Sequence, residues 1–142
     1  MQPVIHAELY RIVDGNVEFL LVRRVPDDGG FWQPVTGGVE EGEDVRAAVR
    51  REVMEETGVT NILHMSDELH RTTWMMDDHS GYDMVHALHV PHDTQVTLSD
   101  EHDDYKWLPL GEALPMLKFD GNRESMRIVH KYILDRKIGA TA

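Results

Sequence analysis

The order of hydrophobic patterns in this chain predicts an α/β fold, a mixed β-sheet with helices packed on it. Two observations carry that expectation. Short apolar stretches bounded by turn residues fill most of the chain, and two helical segments, residues 44–57 and about 122–137, interrupt and close it. The 142 residues contain no repeat or linker and suit one domain over 1–142 with a single sizeable core.

Residues 4–13 alternate loosely and stop at Asp14-Gly15-Asn16, a turn signal; 18–24 read as a second strand, so the two form a hairpin. Residues 25–30 are a loop by composition. Residues 31–39 are aromatic and β-branched, a strand running into a turn at Gly37-Gly38. Residues 44–57 form the first helix, with an acidic opening and Gly58 as C-cap. Residues 61–77 and 82–91 read as strands joined at 78–81, and 104–108 as another. Residues 111–117 form a brief helix. Asn122 is the expected N-cap of the closing helix, whose apolar side is Met126, Val129, Ile133 and Leu134.

Composition narrows the function. A net charge of −12 argues against binding a nucleic-acid polymer, which needs a basic footprint. No stretch approaches the length of a membrane span, and Met1-Gln2-Pro3-Val4 lacks the basic and apolar regions of a signal peptide. With no cysteine there is no disulfide or thiolate chemistry, and the expected location is cytoplasmic.

The chemistry concentrates in residues 37–59. Gly37, Glu43, Arg51, Glu52, Glu55, Glu56 and Gly58 stand at fixed offsets, with Val53 and Val59 completing the pattern. At 100° per residue, Glu52, Glu55 and Glu56 share one helix face. Earlier turns put Val45, Ala48 and Val49 at that azimuth, so the acids continue an inward apolar stripe instead of lying opposite it. Half-buried carboxylates must be neutralised, and Arg50 and Arg51 satisfy about one of them. The rest call for a hard divalent cation, Mg²⁺ or Mn²⁺, of the kind shared with substrate phosphates. Gly37-Gly38 would let a main-chain carbonyl approach the same ion.

These residues match the Nudix box, and the chain resembles the Nudix hydrolase family at every defined position of that motif. The resemblance implies an α/β/α sandwich and Mg²⁺-dependent hydrolysis of a nucleoside diphosphate linked to another moiety. It implies metal ligation by Glu52, Glu55 and Glu56 and by the Gly37 carbonyl. Catalysis falls to the same three glutamates, with Glu52 taking the proton from the attacking water. Glu43 and Arg51 would brace the loop against the helix.

Outside the box, the stretch Phe31-Trp32-Gln33-Pro34-Val35-Thr36-Gly37-Gly38 looks like that of bacterial dihydroneopterin triphosphate pyrophosphatases. So do Glu101-His102-x-x-Tyr105-Lys106-Trp107-Leu108 and Asn122-Arg123. This narrower resemblance makes Glu101 a further metal ligand and Thr36, with Arg23 or Arg24, a substrate contact, and it sets Gly121 and Asn122 near the pterin or base; Trp32 is either a core aromatic or a stacking surface for that heterocycle. The chain departs from it at Met1-Gln2-Pro3, which has no basic residue, at Gly121, where the relatives carry serine, and over residues 61–86. Trp74, Trp107 and Tyr105 are expected to be packing residues, and the nine histidines ordinary surface or core residues.

The reading is a pyrophosphohydrolase of dihydroneopterin triphosphate or a related (deoxy)nucleoside triphosphate, its partner a small nucleotide-like polyphosphate. The alternatives are a dinucleoside polyphosphate hydrolase and a nucleotide-sensing module that does not cleave.

Overall fold

Eight strands form one mixed sheet in a computed structural model that describes residues 1–141, with side chains described through residue 137. The central strand β1 (Gln2–Val13) changes partner along its length. Its first half pairs antiparallel with β4 (Val35–Gly38), from Val4 opposite Gly38 to Ala7 opposite Val35. From Tyr10 it pairs instead with β2 (Asn16–Arg24). Its other edge runs parallel to β7 (Ser80–His89). The sheet therefore forks at Glu8 and Leu9, between β4 and β2. Further out, β3 (Trp32–Gln33) and β8 (His102–Leu108) pair with β2, while β5 (His64–Met65) and β6 (His70–Met75) pair with β7.

The alternation of side chains along β1 builds both cores. Ile5, Ala7 and Leu9 pack with Ala48, Val49 and Val53 of helix α1 (Val45–Thr57). On the opposite face, Tyr10, Phe19 and Leu21 pack with Ala113 of α2 (Leu110–Ala113) and with Met126, Val129 and Ile133 of α3 (Asp120–Thr141). The result is a sheet between helical layers. The β1–β2 turn places Asp14 at φ 50° and Gly15 at φ 81°, the left-handed pair that a two-residue hairpin of native twist requires.

Several expectations need correction. The single strand over 31–39 is two, because Pro34 has no N–H for the ladder and the chain transfers there from β2 to β1. The strand over 61–77 is also two. Arg46 takes the carbonyls of Met65 and Ser66 (3.2 and 2.9 Å), removing them from the ladder, and pairing resumes at His70. Helix α3 starts at Asp120, so Asn122 lies inside it and not at its N-cap. The Phe119 carbonyl receives the first helical N–H groups, while Arg123 ties the Leu117 carbonyl and the Asp120 carboxylate. The brief helix over 111–117 is α2 followed by a 3₁₀ turn, Leu114–Met116. Leu134 is 40% exposed and Tyr105 39%, so neither is a packing residue. No helix among the described residues is long and apolar enough to cross a membrane.

Because Ile133 is buried and Leu134 exposed, truncation should separate them. Ile133→Ala is expected to cost about 2–5 kcal/mol in denaturant unfolding, and Leu134→Ala within about 0.5 kcal/mol. Comparable losses would mean that α3 packs through a different face.

Candidate functional site

Helix α1 presents its acids in graded burial. Its start is fixed by Asp44, whose side chain accepts from the Ala47 N–H (3.1 Å), and its end by Gly58 at φ 73°. Glu56 is buried, Glu52 has a side chain 13% exposed, and Glu55 48%. The shared face predicted from periodicity thus runs from the core out to solvent.

One cation organises this face. The Arg51 guanidinium donates to both carboxylate oxygens of Glu43 (2.8 and 2.9 Å) and to the Gly38 carbonyl (2.8 Å). It also donates to Glu52 (2.8 Å) and Glu55 (3.3 Å). The planar fork of arginine suits such bidentate contacts. Arg51 holds the Glu43 carboxyl down at about 2.

Gly37 is required by close approach. A Cβ there would stand 2.1 Å from Cδ of Glu52 and 2.4 Å from Oε2. Its absence lets the Glu52 carboxylate lie against the β4 main chain.

Glu56 is held differently. Its Oε2 accepts from the Ser99 hydroxyl (2.8 Å) and lies 2.9 Å from Nδ1 of His102, a short contact poorly aligned for a hydrogen bond. The other ring nitrogen of His102 is 3.3 Å from the Gln33 amide. Burial first, then the Arg24 charge, lowers the His102 pKa, so the ring is neutral and adds no cation. The loop carrying Ser99 docks on the end of α1, where Thr97 and Ser99 N–H groups donate to the Thr57 and Glu56 carbonyls (2.8 and 3.3 Å). Sequence reasoning missed Gln33, Ser99 and His102. Gln33 and His102 adjoin Trp32 and Glu101, which was the one available signal.

Two acids titrate high. Burial raises the Glu52 pKa; Arg51 opposes, and the Glu55 and Glu56 charges add to the rise. Burial likewise raises Glu56; Ser99 opposes, and the Glu101 and Glu55 carboxyls push it further. Glu101 thus stands beside Glu56, brought there as its carbonyl accepts from the Val25 N–H (3.1 Å).

Glu52 therefore feels the charges of Glu55 and Glu56, and Glu56 those of Glu55 and Glu101, with Arg51 touching Glu52 and Glu55. An all-oxygen, acid-rich donor set suits Mg²⁺ or Mn²⁺. As the side chains stand, no three metal-ligating groups among the described residues converge on one point. The fit rests on donor chemistry and proximity, and not on a preformed cage.

The candidate substrate contacts other than Arg24 lie on the other face of the sheet. Arg23 donates to Asp103 (2.8 Å), and its guanidinium stands 5.6 Å from the centre of the half-buried Trp32 ring. Lys106 lies 5.5 Å from the same ring. Thr36 is the cross-strand neighbour of His6, and a Cβ on Gly121 would meet Thr72 at 3.4 Å. Arg24 lies apart from Trp32, paired with Asp28 and 5.5 Å from the Phe31 ring. Asn122, within α3, adjoins Gly121. Consecutive residues of β4 thus serve two sets, Gly37 facing the glutamates and Thr36 the opposite side.

The NUDIX domain family model matches residues 5–131. The chain is 40% identical over 114 residues to the octanoyltransferase of Myxococcus xanthus, covering 76% of this chain but 31% of that protein. It therefore spans under a third of that relative's length. It is 32% identical over 120 residues to the dihydroneopterin triphosphate diphosphatase of Escherichia coli K12, covering 75% of this chain and 78% of that protein. A solved binary complex of a C. elegans Ap4A hydrolase superposes with a TM-score of 0.86 at 23% identity, covering 95% of this chain and 99% of the other, a likeness of fold.

Two outcomes check this geometry. Gly37→Ala is expected to destabilise by about 1–3 kcal/mol, and to cost clearly less in a Glu52→Ala background, where the colliding atoms are gone. An equal cost in both backgrounds would disprove the contact. The folded-state pKa of Glu56 is raised, so its stabilising contribution is complete below the unfolded value and lost as pH rises through the folded one. In chelator at pH 8, Glu56→Gln should melt higher than the wild type, with the gain shrinking towards pH 4. A gain that grows on acidification would reverse the sign.

Proposed function

This chain belongs to the NUDIX family, and from that premise we propose that it is a Mg²⁺-dependent pyrophosphohydrolase of a nucleotide-like polyphosphate. Dihydroneopterin triphosphate or a related (deoxy)nucleoside triphosphate is the leading substrate class. The observation that carries the reading is the group of neighbouring carboxylates around Glu52 and Glu56, set against a glycine whose missing Cβ makes room for Glu52. The 32% identity to the E. coli diphosphatase supports the pterin assignment.

Glu52, Glu56 and Glu101, with Glu55 and the Gly37 carbonyl beside them, are the residues that would hold the ion. Such an ion supplies neutralisation of the polyphosphate and activation of water. Glu52 acts as general base. Its raised pKa brings it nearer the working pH than an ordinary carboxylate, which suits reversible proton uptake. Water attacks phosphorus in line, its proton passes to the Glu52 carboxylate, and the anhydride P–O bond breaks, leaving two phosphorylated products. Arg51 keeps Glu52 oriented through the 2.8 Å contact, and Ser99 holds Glu56. Trp32, Arg23 and Lys106 offer a stacking surface with positive charge for the organic part of the substrate.

A dinucleoside polyphosphate hydrolase is the second reading, supported by the fold likeness to the Ap4A hydrolase and by the exposed Tyr105 ring. A panel of dihydroneopterin triphosphate, nucleoside triphosphates and dinucleoside tetraphosphates with Mg²⁺, scored for phosphate and pyrophosphate release, separates them. Glu52→Gln should lower kcat on the best compound by about 10²–10⁴-fold. Undiminished turnover by that variant would remove Glu52 from the base role, and no turnover of any compound would end the enzymatic reading.

A further inference from the structure

The glutamate site leaves unused a second group of polar side chains, buried on the opposite face of the sheet. His6 and Glu8 on β1 are each 1% exposed, in the middle of a strand whose neighbours are apolar. His6 Nε2 lies 3.2 Å from Glu8 Oε2, and Nδ1 lies 3.7 Å from Asp83 Oδ2 on β7. Neither ring nitrogen of His6 nor either oxygen of Glu8 has a hydrogen-bond partner, and Thr72 Oγ1 on β6 is buried and unpartnered too. Such groups cost stability unless something pairs them.

Their position says what the group borders. Thr36 is opposite His6 in the β1–β4 register, Thr72 is opposite Asp83 in the β6–β7 register, and Gly121 at the start of α3 packs against Thr72. The group thus sits beside Thr36 and Gly121, two of the candidate substrate contacts, and beside the fork where β1 passes from β4 to β2. Asp83 is the accessible member, its side chain 18% exposed. Its Oδ1 accepts from the Trp74 indole (3.1 Å), and its Oδ2 accepts no hydrogen bond. Burial works against a charged His6, but Asp83 and Glu8 outweigh it and raise its pKa to about 9. The His6 cation thus lies between the two carboxylates, 3.2 Å from Glu8 and 3.7 Å from Asp83.

A carboxylate with free lone pairs takes two adjacent N–H donors side by side, as it takes arginine. A 2-amino-4-oxopyrimidine ring presents that pair, a ring N–H next to an exocyclic amine. Guanine and pterins carry this edge, whereas adenine, uracil and hypoxanthine lack it. We propose that Asp83, backed by His6 and Glu8, determines specificity by accepting this edge, so that guanine- and pterin-type polyphosphates are selected over adenine types. The inference rests on the pyrophosphohydrolase reading for its substrate class, but recognition of the ring does not depend on cleavage.

The test reads binding and turnover apart. Equilibrium binding of GMP, IMP and AMP is measured by calorimetry in chelator, and kcat/KM for GTP and ATP with Mg²⁺, on the wild type and on Asp83→Asn. The wild type should bind GMP at least about tenfold tighter than IMP or AMP, since a buried acceptor left unpaired penalises the analogue lacking the donor. In Asp83→Asn that preference and the GTP/ATP ratio of kcat/KM should both fall about tenfold. His6→Gln, which removes the cation behind Asp83, should lower the same preference through KM and not kcat, and it supplies the answer if Asp83→Asn fails to fold. Equal wild-type affinity for GMP, IMP and AMP, or a preference surviving both substitutions, would overturn the inference and leave the hydrolase reading standing. Base discrimination without turnover of any triphosphate would uphold the inference and overturn the hydrolase reading.

Discussion

The Arg51 guanidinium is the contact on which the glutamate face depends. It joins three pieces of chain that the backbone alone would leave independent: the end of β4 through the Gly38 carbonyl, the following loop through Glu43, and the helix through Glu52 and Glu55. Without a cation there, the loop and helix would present neighbouring carboxylates to one another. Its partners raise the pKa of Arg51, so the charge persists at any working pH. The brace is partly exposed, so its value lies less in net stability than in fixing where Glu52 points.

Rigidity from Arg51 explains how so much unfavourable charge is tolerated nearby. Glu52 and Glu56 are largely withdrawn from solvent and crowded by other acids, which lifts both pKa values. A neutral residue in either place would suit the free fold better. Glu56 is kept in place by Ser99, with neutral His102 alongside and Gln33 behind it. The opposite face holds a second buried polar group, His6 between Glu8 and Asp83. Groups that fit poorly into the free protein are concentrated on either side of β4 and β1, where a polyphosphate and its organic moiety would lie, and local strain of this kind is expected where function is placed.

The parts of this structure legible in the sequence are those set by local periodicity and spacing. Helix α1 lies within a residue of its expected bounds because Asp44 and Gly58 are strong end signals. The β1–β2 hairpin follows from Asp14-Gly15. The glutamate face is visible because i, i+3 and i+4 spacing is a property of the helix itself. The offsets of Gly37, Glu43, Arg51 and Gly58 identify the family for the same reason: they lie in one contiguous strand-loop-helix unit.

Partner choice between distant strands was decided only by tertiary structure. No local rule indicates that Arg46 will take two carbonyls from the segment after α1, or that Arg123 will help start α3 before Asn122. The fork in β1, the docking of the Ser99 loop on α1, and the meeting of His6 with Asp83 each join residues far apart in the chain. Single-residue periodicity is blind to such contacts, because side-chain burial depends on which strand lies alongside. The sequence by itself determined the helix, the hairpin and the spacing of the glutamates proposed as the reaction centre. The second polar group, and with it the proposed choice of heterocycle, exists only once β1, β6 and β7 are paired and α3 is packed across them.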